Sequence, residues 1–242
     1  MTRYPSEWGL VFDMDDTLLV TSPTFEAGVL KLCLKLAELG IPMDDTRARL
    51  ERIDLARIEA LGYAIARWPD SMGLAYRSFV EEGRLERYEE QVEKECIAIG
   101  WETYARDPEV KPGAREVLEE LRPHARLVLA TRGEAELQGR RLSRSGLKEH
   151  FDAVYFMERK NAATYGALLR EQRFEPRTTF IIGDGMRSDI NPALELGAHA
   201  LLVRGQNWVH EQVPPVRPEF DAVDSLHEIP GIVLARMRGQ PR

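Results

Sequence analysis

Between Trp8 and Phe12 the chain is apolar without a break, and then it turns abruptly to acids in WGLVFDMDDTLL. A short apolar run of this kind predicts a strand buried on both faces. From residue 21 to residue 106 the period changes to three and four. Phe25, Val29, Leu32, Cys33, Leu36 and Leu39 recur at helical spacing, with Ser22 and Pro23 suited to the start and Gly40 and Pro42 to the stop. Asp45 is placed to cap a second helix containing Leu50, Ile53, Ile58 and Leu61. Asp70 is placed to cap a third with Tyr76, Phe79 and Val80, and Leu85, Tyr88, Val92, Cys96 and Ile99 mark a fourth. Four amphipathic helices joined by short breaks predict a small bundle.

Beyond residue 107 short apolar runs alternate with helical segments. Arg126–Ala130 is a strand preceded by a helix from Gly113 to Arg122. Ala153–Met157, Thr178–Ile182, Ala198–Val203 and the short Phe220–Val223 are the further strands. Strands alternating with helices predict a parallel sheet covered on both faces. The first strand must join that sheet, because alone it has no partner for its backbone hydrogen bonds. The expected fold is therefore α/β, with a Rossmann-like parallel-sheet core formed by residues 1–20 and 107–242 and an inserted helical bundle over 21–106.

Composition narrows the class. Hydrophobic residues make up 43% and charged residues 30%, ordinary for a chain that buries a core. A net charge of −7 makes the chain a poor partner for nucleic acid. The basic tail from Arg236 to Arg242 is short and reads as a frayed end. Cys33 and Cys96 occupy apolar helical positions outside any C-x-x-C motif, so they read as small buried hydrophobes rather than zinc or redox groups. No charged start followed by an apolar run marks a secretory signal, and no apolar stretch is long enough to span a bilayer. A cytoplasmic location without membrane attachment is the default expectation.

The chemistry lies where the strands end, since ligands of open parallel sheets bind at the carboxyl ends of the strands. Asp13, Asp15, Asp16 and Thr17 follow the first strand. Thr131, Arg132 and Gly133 follow RLVLA. Glu158, Arg159 and Lys160 follow AVYFM and open a helix. Gly183 and Asp184 follow TTFII, with Asp189 farther on. Carboxylates brought together repel one another unless something positive sits among them. A hard divalent cation with oxygen ligands answers that need, and Mg²⁺ binds in this manner.

In this order the residues resemble the haloacid dehalogenase superfamily, with the helical insert similar to its type-1 cap. The D-x-D-x-T motif stands as Asp13-Met14-Asp15-Asp16-Thr17, the strand-end hydroxyl as Thr131, the lysine as Lys160, and G-D-x-x-x-x-D as Gly183, Asp184 and Asp189. The resemblance implies hydrolysis of a small phosphorylated metabolite, with Asp13 as nucleophile and an aspartyl-phosphate intermediate. Asp15 is then the acid that protonates the leaving oxygen and later activates water. Mg²⁺ is implied at Asp13, Asp15 (through its backbone carbonyl), Asp184 and Asp189, the last supporting the metal shell or orienting Lys160. Lys160 and Thr131 are implied to meet the phosphoryl group, helped by backbone amides just after Asp13.

Some residues depart from the family pattern or carry two readings. The lysine motif reads Lys160-Asn161-Ala162-Ala163 where K-P-D-P is commonest, and Gly185 stands where many relatives carry Ser or Asn. Asp16 reads as a turn residue and Thr17 as a brace for the loop. Arg132 reaches either substrate phosphate or a neighbouring carboxylate. Arg47, Arg49, Arg52 and Arg57 share one helix with Glu51, Asp54 and Glu59, and read as a solvated, self-paired face. Arg67 and Trp68, at a break, are the insert's candidates for substrate contact. An acid at Asp15 separates phosphatases from dehalogenase-type relatives, which need no proton on a halide. A phosphomutase keeps the same residues, and a receiver-like phosphoacceptor shares the acids and lysine but needs neither Asp15 nor a cap. A leucine-rich insert helix leaves monomer and homodimer both open.

Overall fold

The computed structural model describes residues 7–205 and 208–239. It contains a six-stranded, wholly parallel sheet in the order β5-β4-β1-β6-β7-β8. These strands are β1 (Gly9–Phe12), β4 (Arg126–Arg132), β5 (Ala153–Met157), β6 (Thr179–Gly183), β7 (His199–Val203) and β8 (Asp221–Val223). Two short strands, β2 (Leu19–Val20) and β3 (Glu109–Val110), pair antiparallel, so the chain leaves and re-enters this unit side by side. β1 is central because each residue is apolar or glycine and both of its faces are covered. Leu10 and Phe12 point into one core with Leu127, Leu129, Phe180 and Ile182. Val11 points into the other with Val128, Ala130 and Ile181. Helices α5 (Ala114–Leu121) and α9 (Ile229–Met237) line the first core, joined by Leu142 of α6 (Ala135–Ser145). Helices α7 (Ala162–Gln172) and α8 (Asn191–Leu196) line the second. The chain builds outward from β1 through β4 and β5, then crosses to β6, β7 and β8. The direction of winding therefore reverses at β1, where a crevice opens at the carboxyl edge. Residues 240–242 of the basic tail lie outside the described residues.

Thr21–Pro108 forms a second compact unit. It holds α1 (Ser22–Ala37), α2 (Met43–Leu61), α3 (Arg67–Glu81) and α4 (Glu90–Glu102) around Val29, Leu32, Leu36, Leu50, Met72, Tyr76 and Phe79. Helices α3 and α4 meet where Gly100 lies against Pro69, so close that a Cβ on Gly100 would fall 2.4 Å from the Pro69 Cα. Three helix starts differ from the sequence expectation. The second helix begins at Met43, ahead of Asp45. The third begins at Arg67 rather than Asp70, since Pro69 falls in the first turn, where its missing N–H is not needed. The fourth begins at Glu90, leaving Leu85 and Tyr88 in the preceding loop. Both cysteines are buried, and burial pushes the Cys96 thiol up to about 12. Among the described residues no helix is long and apolar enough to cross a membrane.

Candidate active site

Asp13 emerges from β1 with its amide still bonded to the Ile182 carbonyl at 2.9 Å, which holds it between the ends of β4 and β6. The following loop winds tightly about Met14, whose carbonyl accepts from the amides of both Leu18 and Leu19 at 2.9 Å. Asp16 takes φ of 59°, a left-handed conformation that aspartate tolerates better than most residues. Its carbonyl accepts from Lys111 Nζ at 2.8 Å and its carboxylate from Trp208 Nε1 at 3.3 Å, so Asp16 serves the turn. Thr17 is fully buried and donates to Asp184 at 3.4 Å, tying the loop to the end of β6.

Asp13, Asp184 and Asp189 converge with carboxylate oxygens within 4.8 Å of one another, all buried. Lys160, immediately before the Asn161 cap of α7, reaches Asp13 Oδ1 at 2.6 Å and Asp189 Oδ1 at 2.5 Å. Burial opposes its charge, but these two carboxylates outweigh that and hold it well above the ordinary lysine range. Three carboxylates facing one ammonium leave an excess of negative charge. Accordingly Asp13 is raised to about 7, first by burial, against the pull of Lys160 and with the further push of Asp189 and Asp15. Asp184 is raised well above the carboxylate range by burial and then by Asp13 and Asp189. Buried hard oxygen donors with surplus negative charge are the donor set a divalent cation fits.

Asp189 plays a different part from the other two. Its Oδ1 accepts from Lys160 and from Tyr165 Oη at 2.7 Å. Its Oδ2 accepts from the Gly185 amide and the Ser188 hydroxyl, both at 3.2 Å. A carboxylate offers about four acceptor sites, and protein donors fill them here. The loop that carries it closes as one π-helical turn, Met186–Ile190, with the Ile190 amide bonded to the Gly185 carbonyl at 3.1 Å. Glycine at 185 has a steric reason, since a Cβ there would lie 2.1 Å from Ser188 Oγ and 2.7 Å from Glu211 Oε2.

Asp15 does not join the carboxylate cluster. Its side chain turns to α6, where Gln138 Nε2 donates to Oδ2 at 2.5 Å and Arg141 Nη1 to Oδ1 at 3.2 Å. Thr131, buried near the end of β4, also accepts from Gln138 Nε2, at 2.8 Å. Arg132 pairs with Glu211 Oε1 at 2.8 Å rather than with the acidic cluster. Glu211 Oε2 receives the amides of Arg187 and Ser188 at 3.1 and 3.0 Å, so one buried carboxylate links the end of β4 to the Asp189 loop. Arg67 lies in the helical unit, in the first turn of α3 and not in a loop. It is buried and ion-paired with Asp54. Sequence reasoning missed Gln138, Arg141, Tyr165 and Glu211. The only sequence signal was a pair of polar residues, Gln138 and Arg141, among the apolar Leu137 and Leu142 of a helix that follows a strand-end motif.

A parallel sheet with acids, a threonine and a lysine gathered at its carboxyl edge places the chain among α/β proteins that carry a phosphate- or metal-binding site there. The chain belongs to the haloacid dehalogenase-like hydrolase family, whose model matches residues 9–197. It is 28% identical over 124 residues to the pyrimidine 5'-nucleotidase YjjG of Escherichia coli, and this match takes in 49% of this chain and 54% of that protein. The chain thus spans about half the length of the curated relative it matches. Among solved structures, a haloacid dehalogenase-like family hydrolase from Xanthomonas campestris superposes with a TM-score of 0.78 at 24% identity, covering 94% of this chain and 95% of that one. The HAD-hydrolase YfnB of Bacillus subtilis, bound to magnesium, superposes with a TM-score of 0.63 at 20% identity, covering 93% and 98%. Other structures with this fold are dehalogenases.

Proposed function

We propose that the protein is a Mg²⁺-dependent phosphatase acting on small organic phosphate monoesters, with Asp13 as nucleophile. The observation that carries this reading is the surplus-negative carboxylate cluster around Asp13 with a further acid, Asp15, held apart from it two residues on. A dehalogenase has no use for that acid, because a halide leaves without a proton. The nucleotidase relative and the magnesium-bound neighbour support the same direction. Asp13 and Asp184 would hold the metal, and bound Mg²⁺ supplies positive charge to the phosphoryl oxygens. Asp189, its acceptor sites filled, orients Lys160 instead.

In this reading an Asp13 oxygen attacks phosphorus, the ester P–O bond breaks, and Asp15 gives its proton to the leaving alkoxide. Lys160 and Thr131 meet the charge that develops on the phosphoryl oxygens. Water then attacks the phosphorus of the aspartyl phosphate, yields a proton to Asp15, and displaces Asp13 with release of phosphate. Residues 21–108 serve as the cap that selects the leaving group. Phosphate release from a panel of nucleotides, sugar phosphates and small phosphorylated acids, with and without Mg²⁺, tests the reading. Turnover should require Mg²⁺ and fall by roughly four orders of magnitude in Asp13→Asn. A folded wild type that releases phosphate from no ester would sink it, and phosphoryl exchange between hydroxyls without release would mark a mutase.

A further inference from the structure

We propose that Gln138 and Arg141 of α6 are a positioning pair that sets the Asp15 carboxyl and the Thr131 hydroxyl together. The inference rests on the reading of Asp15 as proton donor. Both side chains are almost wholly buried, at 2% and 5% exposure. A buried guanidinium is costly unless hydrogen-bonded. Here Arg141 Nη1 donates to Asp15 Oδ1 at 3.2 Å and to Gln138 Oε1 at 3.3 Å.

The second of those bonds fixes the glutamine. Arginine only donates, so the amide oxygen of Gln138 must face Arg141, and its NH₂ must face the other way. There it meets three acceptors: Asp15 Oδ2 at 2.5 Å, Thr131 Oγ1 at 2.8 Å and the Arg132 carbonyl at 2.8 Å. Thr131, as acceptor from the amide, keeps its own hydrogen to donate elsewhere, which is the role a phosphoryl oxygen requires of it. Two amide hydrogens shared among three acceptors bind the acid's orientation to that of the phosphate-binding hydroxyl. Arginine, glutamine, aspartate and threonine thus form one directed chain, in which loss of Arg141 frees the amide to flip and loss of Gln138 uncouples both ends.

The test is leaving-group dependence. A nitrophenolate departs without a proton, whereas an alkoxide needs one, and kcat/KM reports the step in which the ester bond breaks. Gln138→Leu and Arg141→Met should lower kcat/KM for alkyl phosphates by about 100-fold, within the range for general acid catalysis. For p-nitrophenyl phosphate the loss should stay below about 10-fold, and Arg141→Lys should recover part of the alkyl loss. If Gln138→Leu does not fold, Gln138→Met, close to glutamine in length and without either amide group, must show the same selectivity. An equal loss on all esters, or none, in a wild type active on both overturns the inference alone. A wild type inactive on every ester overturns the phosphatase reading and the inference with it.

Discussion

The two units handle charge in opposite ways. In the helical unit, charges pair one to one. Arg47 meets Glu26, Arg84 meets Asp45, and Lys31 meets Glu102 at exposed positions, and the buried Arg67 meets Asp54. At the sheet edge, three clustered buried carboxylates have one ammonium among them, Lys160, which pairs with Asp13 and Asp189. A matched pair completes itself within the fold. A mismatched cluster is stable only at the expense of shifted protonation, and it is completed by something that binds. The difference teaches where to look for chemistry, since buried charge alone does not mark a site but unbalanced buried charge does.

Lys160→Met should break this comparison most severely. It leaves three carboxylates with no ammonium among them and should cost roughly 3–5 kcal/mol, the range for removing one partner of a buried pair. Activity should fall at least about 10³-fold, because the charge at the phosphoryl group goes with it. Urea unfolding and phosphate release measure the two losses. Adding Asp189→Asn should recover part of the stability and none of the activity. Recovery of both would mean that Lys160 is only a counterion.

Arg67→Met should cost a similar amount of stability, about 3–5 kcal/mol, for the same reason in the other unit. Burial already lifts the Asp54 carboxyl above its ordinary range, against the pull of Arg67. Here kcat and KM per folded molecule should stay at the wild-type values, and the Asp54→Leu/Arg67→Met double variant should regain most of the stability. A KM raised severalfold in protein of unchanged stability would place Arg67 at the substrate and end the contrast between the units.

Proton linkage sharpens the contrast further. Asp13 sits at about 7, above its unfolded value near 4. Between those values the folded chain keeps a proton that the unfolded chain has lost. Its contribution to stability is therefore full below about 4, declines as pH rises through that window, and is gone above about 7. A cation requires the ionised carboxylate, so Mg²⁺ binding should tighten as pH rises from 6 to 8 and then level off. Titration calorimetry across that range reads the effect. Affinity that weakens with rising pH would rule out carboxylate ligation at Asp13.

Much of the sheet and its edge was legible because strands buried on both faces must be apolar, and packing does not explain acids placed immediately after them. Asp13 and Asp184 stood out for that reason, and Lys160 and Asp189 through their place in the order of strand-end motifs. Gln138 and Arg141 did not, because a buried polar pair on a helix has the same spacing as a solvated one. Glu211 ends a single 3-10 turn, Val209–Glu211, too short for any periodicity to mark a residue that four groups converge on. Arg67 read as a loop residue because Pro69 mimics a break. Proline is equally at home in a first turn, and Arg67 and Trp68 are buried there at the start of α3.

The smallest effect concerns the arginines of α2, expected from sequence to pair with acids on their own helix. Three of the four reach across instead, Arg47 to Glu26 of α1, Arg49 to Glu82 just past α3, and Arg57 to Asp70 of α3. Cross-helix pairs report on bundle assembly, yet exposed ones gain little in water. Arg47→Ala should cost no more than about 0.5 kcal/mol, and less at high salt, because both partners are roughly half exposed. Arg49→Ala should cost more. Its guanidinium also bonds Ser78 Oγ at 2.6 Å and lies 4.6 Å from the Phe79 ring centroid, contacts that salt does not screen away. Melting temperatures of both variants at low and high salt separate the two kinds of contact. A salt-insensitive loss at Arg47 matching that at Arg49 would mean that even the exposed pairs are packed into the bundle, and that the units differ in charge balance but not in how deeply their charges are held.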